Sequence, residues 1–177
     1  MDRYRARLTA AAISPEYSFN RHLAEKYADE AVLGTLAKML DVDNEAIAAG
    51  SVYVLARQKE LPASTGESLG AAVRRWGSDD RLASLGIPRQ SLFWTALNTR
   101  SEPARQSVLD FLKSPDPQLL SRTAETLSQS PGDVVWFRRV RESVAAVEKK
   151  AGKDAEAAKS VAESLKHLDE RIQKARP

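Results

Sequence analysis

Five consecutive residues, Gly66-Glu67-Ser68-Leu69-Gly70, match the G-x-S-x-G pattern in which a serine becomes a nucleophile on a sharp turn between a strand and a helix. That chemistry needs a buried parallel strand before the serine, then an acid and a histidine later in the chain. Leu61-Pro62-Ala63-Ser64-Thr65 does not read as such a strand, and His167 is the one histidine that follows. The segment reads instead as a helix start, with Ser64 and Glu67 at capping-box spacing. The histidines raise a second chemistry. His22 has Glu25 at i+3 and Asp29 at i+7, while His167 has Glu163 at i−4 and Glu170 at i+3, so each imidazole shares a helix face with carboxylates. Helical bundles hold metals with such spacings when several ligands face inward. Here the charged neighbours put both histidines on solvated faces, so ion pairing is the expected role and no metal site is assigned. The chain has no cysteine, which removes disulfides, thiolate catalysis and cysteine-ligated metals. No P-loop, dinucleotide fingerprint, metalloprotease pair or calcium loop is present either. No catalytic residue and no cofactor is expected, and an enzyme is disfavoured.

Arginines mixed with aromatics carry the third chemistry. Arg74-Arg75-Trp76 and Trp136-Phe137-Arg138-Arg139, with Arg141 close behind, combine cations for phosphates with rings that stack on bases. Helical spacing separates them, because Trp76 continues the face of Leu69 and Val73 and Phe137 continues that of Val140 and Val144. Residues 61–140 hold 10 Lys+Arg and 8 Asp+Glu, too even a balance for a basic stripe. Nucleic-acid binding through Arg74, Arg75, Arg138, Arg139 and Arg141 is therefore the alternative reading. Phe93-Trp94 adds one more feature. Leu92, Phe93 and Leu97 make a buried stripe, and Trp94 is expected in the core by default; exposed on a groove, it becomes a binding anchor.

The elements that must position these residues follow from the whole chain. Its 177 residues carry a net charge of +3, with 42% hydrophobic and 29% charged residues, which predicts one folded domain over 1–177 rather than a disordered chain. No run approaches the roughly 20 apolar residues of a membrane span. Met1 to Ala12 carries Arg3, Arg5 and Arg7, but the apolar stretch after them is too short for a signal peptide. A soluble, cytoplasmic protein is expected, with a secreted or periplasmic one whose signal has been removed as the alternative.

Apolar residues recur with helical spacing almost throughout. Val32, Leu33, Leu36, Met39 and Leu40 line one face, and Ile47, Val54 and Leu55 line another beyond a break at Asp41 to Asn44. Val52 to Leu55 is the one strand-like run, and it lies within a longer helical pattern. Helices are predicted near 2–12, 15–28, 30–40, 44–59, 66–76, 79–85, 89–99, 103–113, 117–129, 133–150 and 153–175, an all-α chain. Aspartates at the turns, Asp43, Asp80, Asp116 and Asp154, are 37, 36 and 38 residues apart. Near-constant spacing of this size is what stacked helical hairpins produce, with each aspartate capping a second helix.

Ser107 to Leu120, continuing through Ala124 and Leu127, resembles a HEAT-type repeat: an apolar first helix, an aspartate turn at Asp116, then a second helix with small and apolar inward positions. Leu36 to Leu55 is similar, with Asp43 in the turn. The resemblance covers about half of the chain. It implies antiparallel hairpins stacked as a HEAT-like superhelix, with N-terminal helices over 1–29, a repeat core over 30–130 and capping helices over 133–177; an irregular helical bundle is the alternative. Gly86-Ile87-Pro88 interrupts the second unit, and 133–174 reads either as one long helix or as two. The stripe of Val144, Val147, Val161, Leu165, Leu168 and Ile172 is expected to dock on the array rather than form a coiled coil with another chain. The expected function is a non-catalytic interaction module, an adaptor, scaffold or inhibitor, that holds a protein partner on the groove of successive second helices. Arg57, Trp94, Arg100 and Arg122, on or near those helices, are the expected partner-binding residues.

Overall fold

Short polar side chains that take up free backbone N–H groups set the helix starts in the computed structural model, which describes residues 29–79, 81–152 and 154–175. Asp29 accepts from Val32 N at the head of α1 (Glu30–Met39), and Asn44 accepts from Ala46 N and Ile47 N at the head of α2 (Glu45–Leu55). Next come α3 (Gly66–Trp76), α4 (Arg89–Asn98) and α5 (Glu102–Leu109). Asp116 accepts from Gln118 N ahead of α6 (Pro117–Gln129), where Pro117 stands at the first turn and gives up an N–H that would have no helical partner. Asp133 accepts from Trp136 N ahead of α7 (Val134–Ala145). A short α8 (Glu148–Ala151) and a long α9 (Ala155–Lys174) complete the series, with Asp154 accepting from Ala157 N. Three 3-10 turns, Ala63–Thr65, Arg81–Leu85 and Asp110–Lys113, fill the connections. Among the described residues there is no strand, and no helix is long and apolar enough to cross a membrane.

The helical spans match the sequence periodicity closely, and the differences have local causes. The expected helix over 79–85 is a 3-10 turn, closed by Ile87 N on Leu82 O before Pro88. The segment 133–174 is broken twice, after Ala145 and again at Gly152, so it forms three pieces rather than the one or two expected. Asp43 does not cap α2; its neighbour Asn44 does, and Asp43 pairs with Arg75 at 2.8 Å. Ser64 does not cap α3. The turn Ala63–Thr65 runs straight into that helix, and Thr65 Oγ1 donates to Pro62 O instead. The expected helices 2–12 and 15–28, His22 and Asp80 lie outside the described residues.

The described helices gather into two compact units, one up to Ala104 and one from Arg105 onward. In the first unit α1 packs on α2 and α3, and α4 packs on α2 and α3. Leu36, Leu40, Val52, Leu69, Val73, Trp76, Leu92 and Phe93 make its buried core. Trp76 ties two first helices together at their C-terminal ends, since its indole N–H donates to Leu40 O at 3.2 Å. Arg75 reinforces that junction through Asp41 O. Arg81 does the same from outside, with a 2.6 Å ion pair to Glu45.

Gly66 marks the tightest approach in this unit. A Cβ built there would lie 1.8 Å from Ser101 Oγ and 2.4 Å from Ser101 Cβ, so the start of α3 fits against the turn after α4 because residue 66 has no side chain. Gly66→Ala is expected to cost about 1–3 kcal/mol as an overpacked site, despite the better helix propensity of alanine. A urea titration measures it.

In the second unit α9 packs along α6 and α7, and α8 packs on α6 and α9. The C-terminal stripe is thus docked, with Val161, Leu168 and Ile172 buried. Two clamps fix the register of α6 against α9. Gln118 Nε2 donates to Asp154 Oδ2 at 3.1 Å at the N-terminal ends, and Arg171 Nη1 donates to Ser128 O and Ser130 O at 2.6 and 2.9 Å at the C-terminal ends. The two helices therefore run parallel.

Candidate interaction surface

Between its clamps the α6/α9 pair leaves an open cleft of about 420 Å³. Helix α6 contributes Glu125, Ser128 and Gln129, and α9 contributes Ser160, Glu163, Ser164 and His167. The spacings explain why these residues meet: 125 and 129, 160 and 164, and 163 and 167 are each one turn apart on their helices. Ser128 and Ser164 are buried at the base, while Glu125, Gln129, Glu163 and His167 are exposed around them. Small residues on the facing stripes keep the helices from filling this space. Each buried hydroxyl donates to its own helix, Ser128 Oγ to Glu125 O at 2.8 Å and Ser164 Oγ to Ser160 O at 2.9 Å.

Arg171 closes one end of the cleft. Its guanidinium lies 4.0 Å from the centre of the Phe137 ring while bonding the two carbonyls beyond α6. Half-burial lowers its pKa, and the carbonyl dipoles at the helix C-terminus and the ring face hold the charge. Asp154 holds the N-terminal ends of the two helices. Its pKa is lowered by the Ala157 N–H and then by the Gln118 amide, both of which favour the carboxylate. A depressed folded-state value means that Asp154 stabilises the fold above the unfolded carboxylate range and loses that contribution as pH falls through the folded value. The expected result is that Asp154→Asn lowers the melting temperature at neutral pH, with the gap to the parent chain narrowing below about pH 4.

The residues expected to bind a protein partner fall in both units. Arg57 follows α2 and stacks on Tyr53 at 3.3 Å from the ring centre, its Nη1 donating to Tyr53 O. Trp94 on α4 is 37% exposed rather than in the core, because Leu92, Phe93, Ala96 and Leu97 take up the inward positions of that helix. Arg100 is exposed in the turn after α4 and has φ of 54°, a left-handed conformation that favours glycine. Arg122 is exposed on α6, one turn before Glu125. Among the described residues no hydrogen bond or ion pair joins Arg57, Trp94 and Arg100, the three in the first unit, to one another.

The arginines of the nucleic-acid reading are differently placed. Arg75 bonds Asp41 O and Asp43, Arg139 donates to Gln106 Oε1, and Arg141 holds Asp169 at 2.6 Å. The hydrogen bond to Asp169, and then its charge, raise the pKa of Arg141. Arg74 and Arg138 are exposed. Trp76 and Phe137 are buried, as their helical spacing requires.

No protein-family model matches the chain, and no curated protein matches it. Sequence reasoning noticed Glu163 beside His167 but not the cleft they line, because a cavity between two helices depends on which small residues face each other across them. The signal available was the serine pair 160/164 on an otherwise apolar stripe of α9.

Proposed function

We propose that the chain is a non-catalytic interaction module built from HEAT-like stacked hairpins, and that it holds a protein partner on the groove between successive second helices. The observation that carries this reading is the α6/α9 cleft, open to solvent between two parallel second helices and lined by exposed polar side chains. Supporting the stacked arrangement within each unit, Trp76 reaches Leu40, Arg81 reaches Glu45 and Gln118 reaches Asp154, each across 36 residues, close to the 36–38 of the turn aspartates. Hairpins that stack in register bring residues one repeat apart into contact. Trp94 and Arg122, exposed on second helices, are of the residue types that anchor protein interfaces. The nucleic-acid alternative is weakened, because Arg75, Arg139 and Arg141 spend their donors on internal acceptors.

Gentle purification from native lysate followed by a salt series tests the proposal. The expected result is a stoichiometric protein partner that survives salt and is retained several-fold less by Arg122→Glu. A nuclease-sensitive component that washes off with modest salt would overturn it, since phosphate contacts are the salt-labile kind.

A further inference from the structure

We propose that Ser84 is the acceptor for a serine kinase that reads an arginine ahead of its target, and that the phosphate placed there takes Arg81 away from Glu45. This goes beyond the interaction-module reading and does not depend on it. An arginine stands three residues before a serine or threonine at two places, Arg75 before Ser78 and Arg81 before Ser84. Ser78 is followed by Asp79 and Ser84 by Leu85, so only Ser84 has a cation on one side and an apolar side chain on the other. A kinase with an acidic subsite for the arginine and an apolar subsite for the residue after the acceptor recognises that order by charge and by burial. Asp79 and Asp80 lie upstream of this span.

All three recognition residues are at the surface. Arg81, Ser84 and Leu85 are exposed, and Leu85, at 40%, is one of four large apolar side chains left to water among the described residues. They lie on the 3-10 turn Arg81–Leu85, in which Leu82 is the one buried side chain. Helices of this kind have poorer hydrogen-bond geometry than α-helices. Gly86 N on Ala83 O and Ile87 N on Leu82 O close the turn, so presenting it as an extended segment is a local opening rather than unfolding of the unit. Side chains three apart eclipse in a 3-10 turn, which puts Arg81 and Ser84 on one face. Ser84 Oγ donates to Arg81 O at 3.2 Å, while the Arg81 guanidinium holds Glu45 at 2.6 Å and lies 5.1 Å from the centre of the Trp76 ring.

In the transfer, Ser84 Oγ attacks the γ-phosphorus of a nucleoside triphosphate and the bond from that phosphorus to the bridging oxygen breaks. The nucleoside diphosphate leaves, and the hydroxyl proton passes to the carboxylate base of the kinase. The product carries about two negative charges and three acceptor oxygens on the face that Arg81 shares. A guanidinium offered a phosphate dianion beside a single carboxylate pairs with the dianion, which releases the link from the turn to α2.

The test incubates the full chain with ATP, magnesium and the catalytic subunit of cyclic-AMP-dependent protein kinase, an arginine-directed enzyme, and locates phosphate by tandem mass spectrometry. One phosphate is expected at Ser84 and none at Ser78, and Ser84→Ala is expected to abolish it. Two further variants separate recognition from mere opening of the turn. Arg81→Gln and Glu45→Gln break the same ion pair, yet the first is expected to slow modification about tenfold, as loss of a charge-assisted contact does, and the second to speed it by freeing the arginine. Melting temperatures verify that both variants fold. Rates that move in the same direction would show that opening alone governs modification, and would overturn the proposal. No phosphate at Ser84, or a preference for Ser78, overturns it as well. Phosphorus NMR reads the second half of the claim. The titration midpoint of phosphoserine 84 is expected below the ordinary value of about 6, and back at that value in fully phosphorylated Arg81→Gln. An ordinary midpoint in the parent chain means that Arg81 stays with Glu45.

Discussion

Val73→Pro is expected to lower unfolding stability by more than about 3 kcal/mol, the cost of a proline inside a helix, whereas Ser64→Pro should cost about 1 kcal/mol. Val73 sits in the middle of α3 with no exposed surface, and its carbonyl accepts from Gly77 N at 2.9 Å. Proline there deletes the i→i−4 bond of residue 73, collides with the carbonyl one turn back and replaces a packed valine beside Leu69 and Trp76. Ser64 is exposed in the 3-10 turn ahead of the helix, where the chief penalty is the restriction that proline places on Ala63. Urea midpoints for the two variants settle the matter. Equal midpoints would contradict α3 as an uninterrupted buried helix.

Trp136→Ala is the matching expectation in the second unit, at about 3–5 kcal/mol. The indole is buried, donates to the buried Ser130 Oγ at 2.8 Å and lies under the Arg105 guanidinium at 4.3 Å from the ring centre. Arg105 in turn donates to Pro131 O, so one ring organises the whole turn between α6 and α7. Gly132 completes the seat. A Cβ there would lie 2.1 Å from Trp136 Cδ1 and 3.0 Å from Trp136 Cβ, so Gly132→Ala should be strongly destabilising when the ring is present and much less so once only the Cβ is left. That non-additivity, read from a double-mutant cycle by urea titration, reports the contact itself. Additive effects would mean that the ring does not lie over Gly132.

The two tryptophans also show how far the sequence can be read. Helical spacing places Trp76 and Phe137 in the core, and both are buried, because each shares one helix face with apolar residues one and two turns away, Val73 and Leu69 for Trp76 and Val140 and Val144 for Phe137. Spacing could not place Trp94. Its helix has apolar residues on nearly all sides, so the choice of which one faces water is made by the helices that pack on α4. Caps were legible where one residue competed, as at Asp116, Asp133 and Asp154, and misread where two did, since Asn44 takes the role expected of Asp43. The binding residues were the least legible. Arg75, Arg139 and Arg141 look alike in sequence as spare cations, and only tertiary neighbours show that Asp43, Gln106 and Asp169 occupy them, whereas Arg57 stacks on Tyr53 one turn away. The cleft was invisible for the same reason, because it depends on which side chains two helices turn toward each other.

The clamps on α6 and α9 have a consequence for the timescale on which this unit opens. A helix pair held at one end frays from the other, and its backbone amides exchange with solvent through small local openings. A pair held at both ends has no free end from which to start. The Gln118–Asp154 contact and the Arg171 grip on Ser128 O and Ser130 O leave only concerted opening to release the interior amides of both helices. In hydrogen-exchange terms, residues 120–127 and 161–168 are expected to exchange as a single slow cooperative block, which would make the wall of the cleft as durable as the unit that contains it.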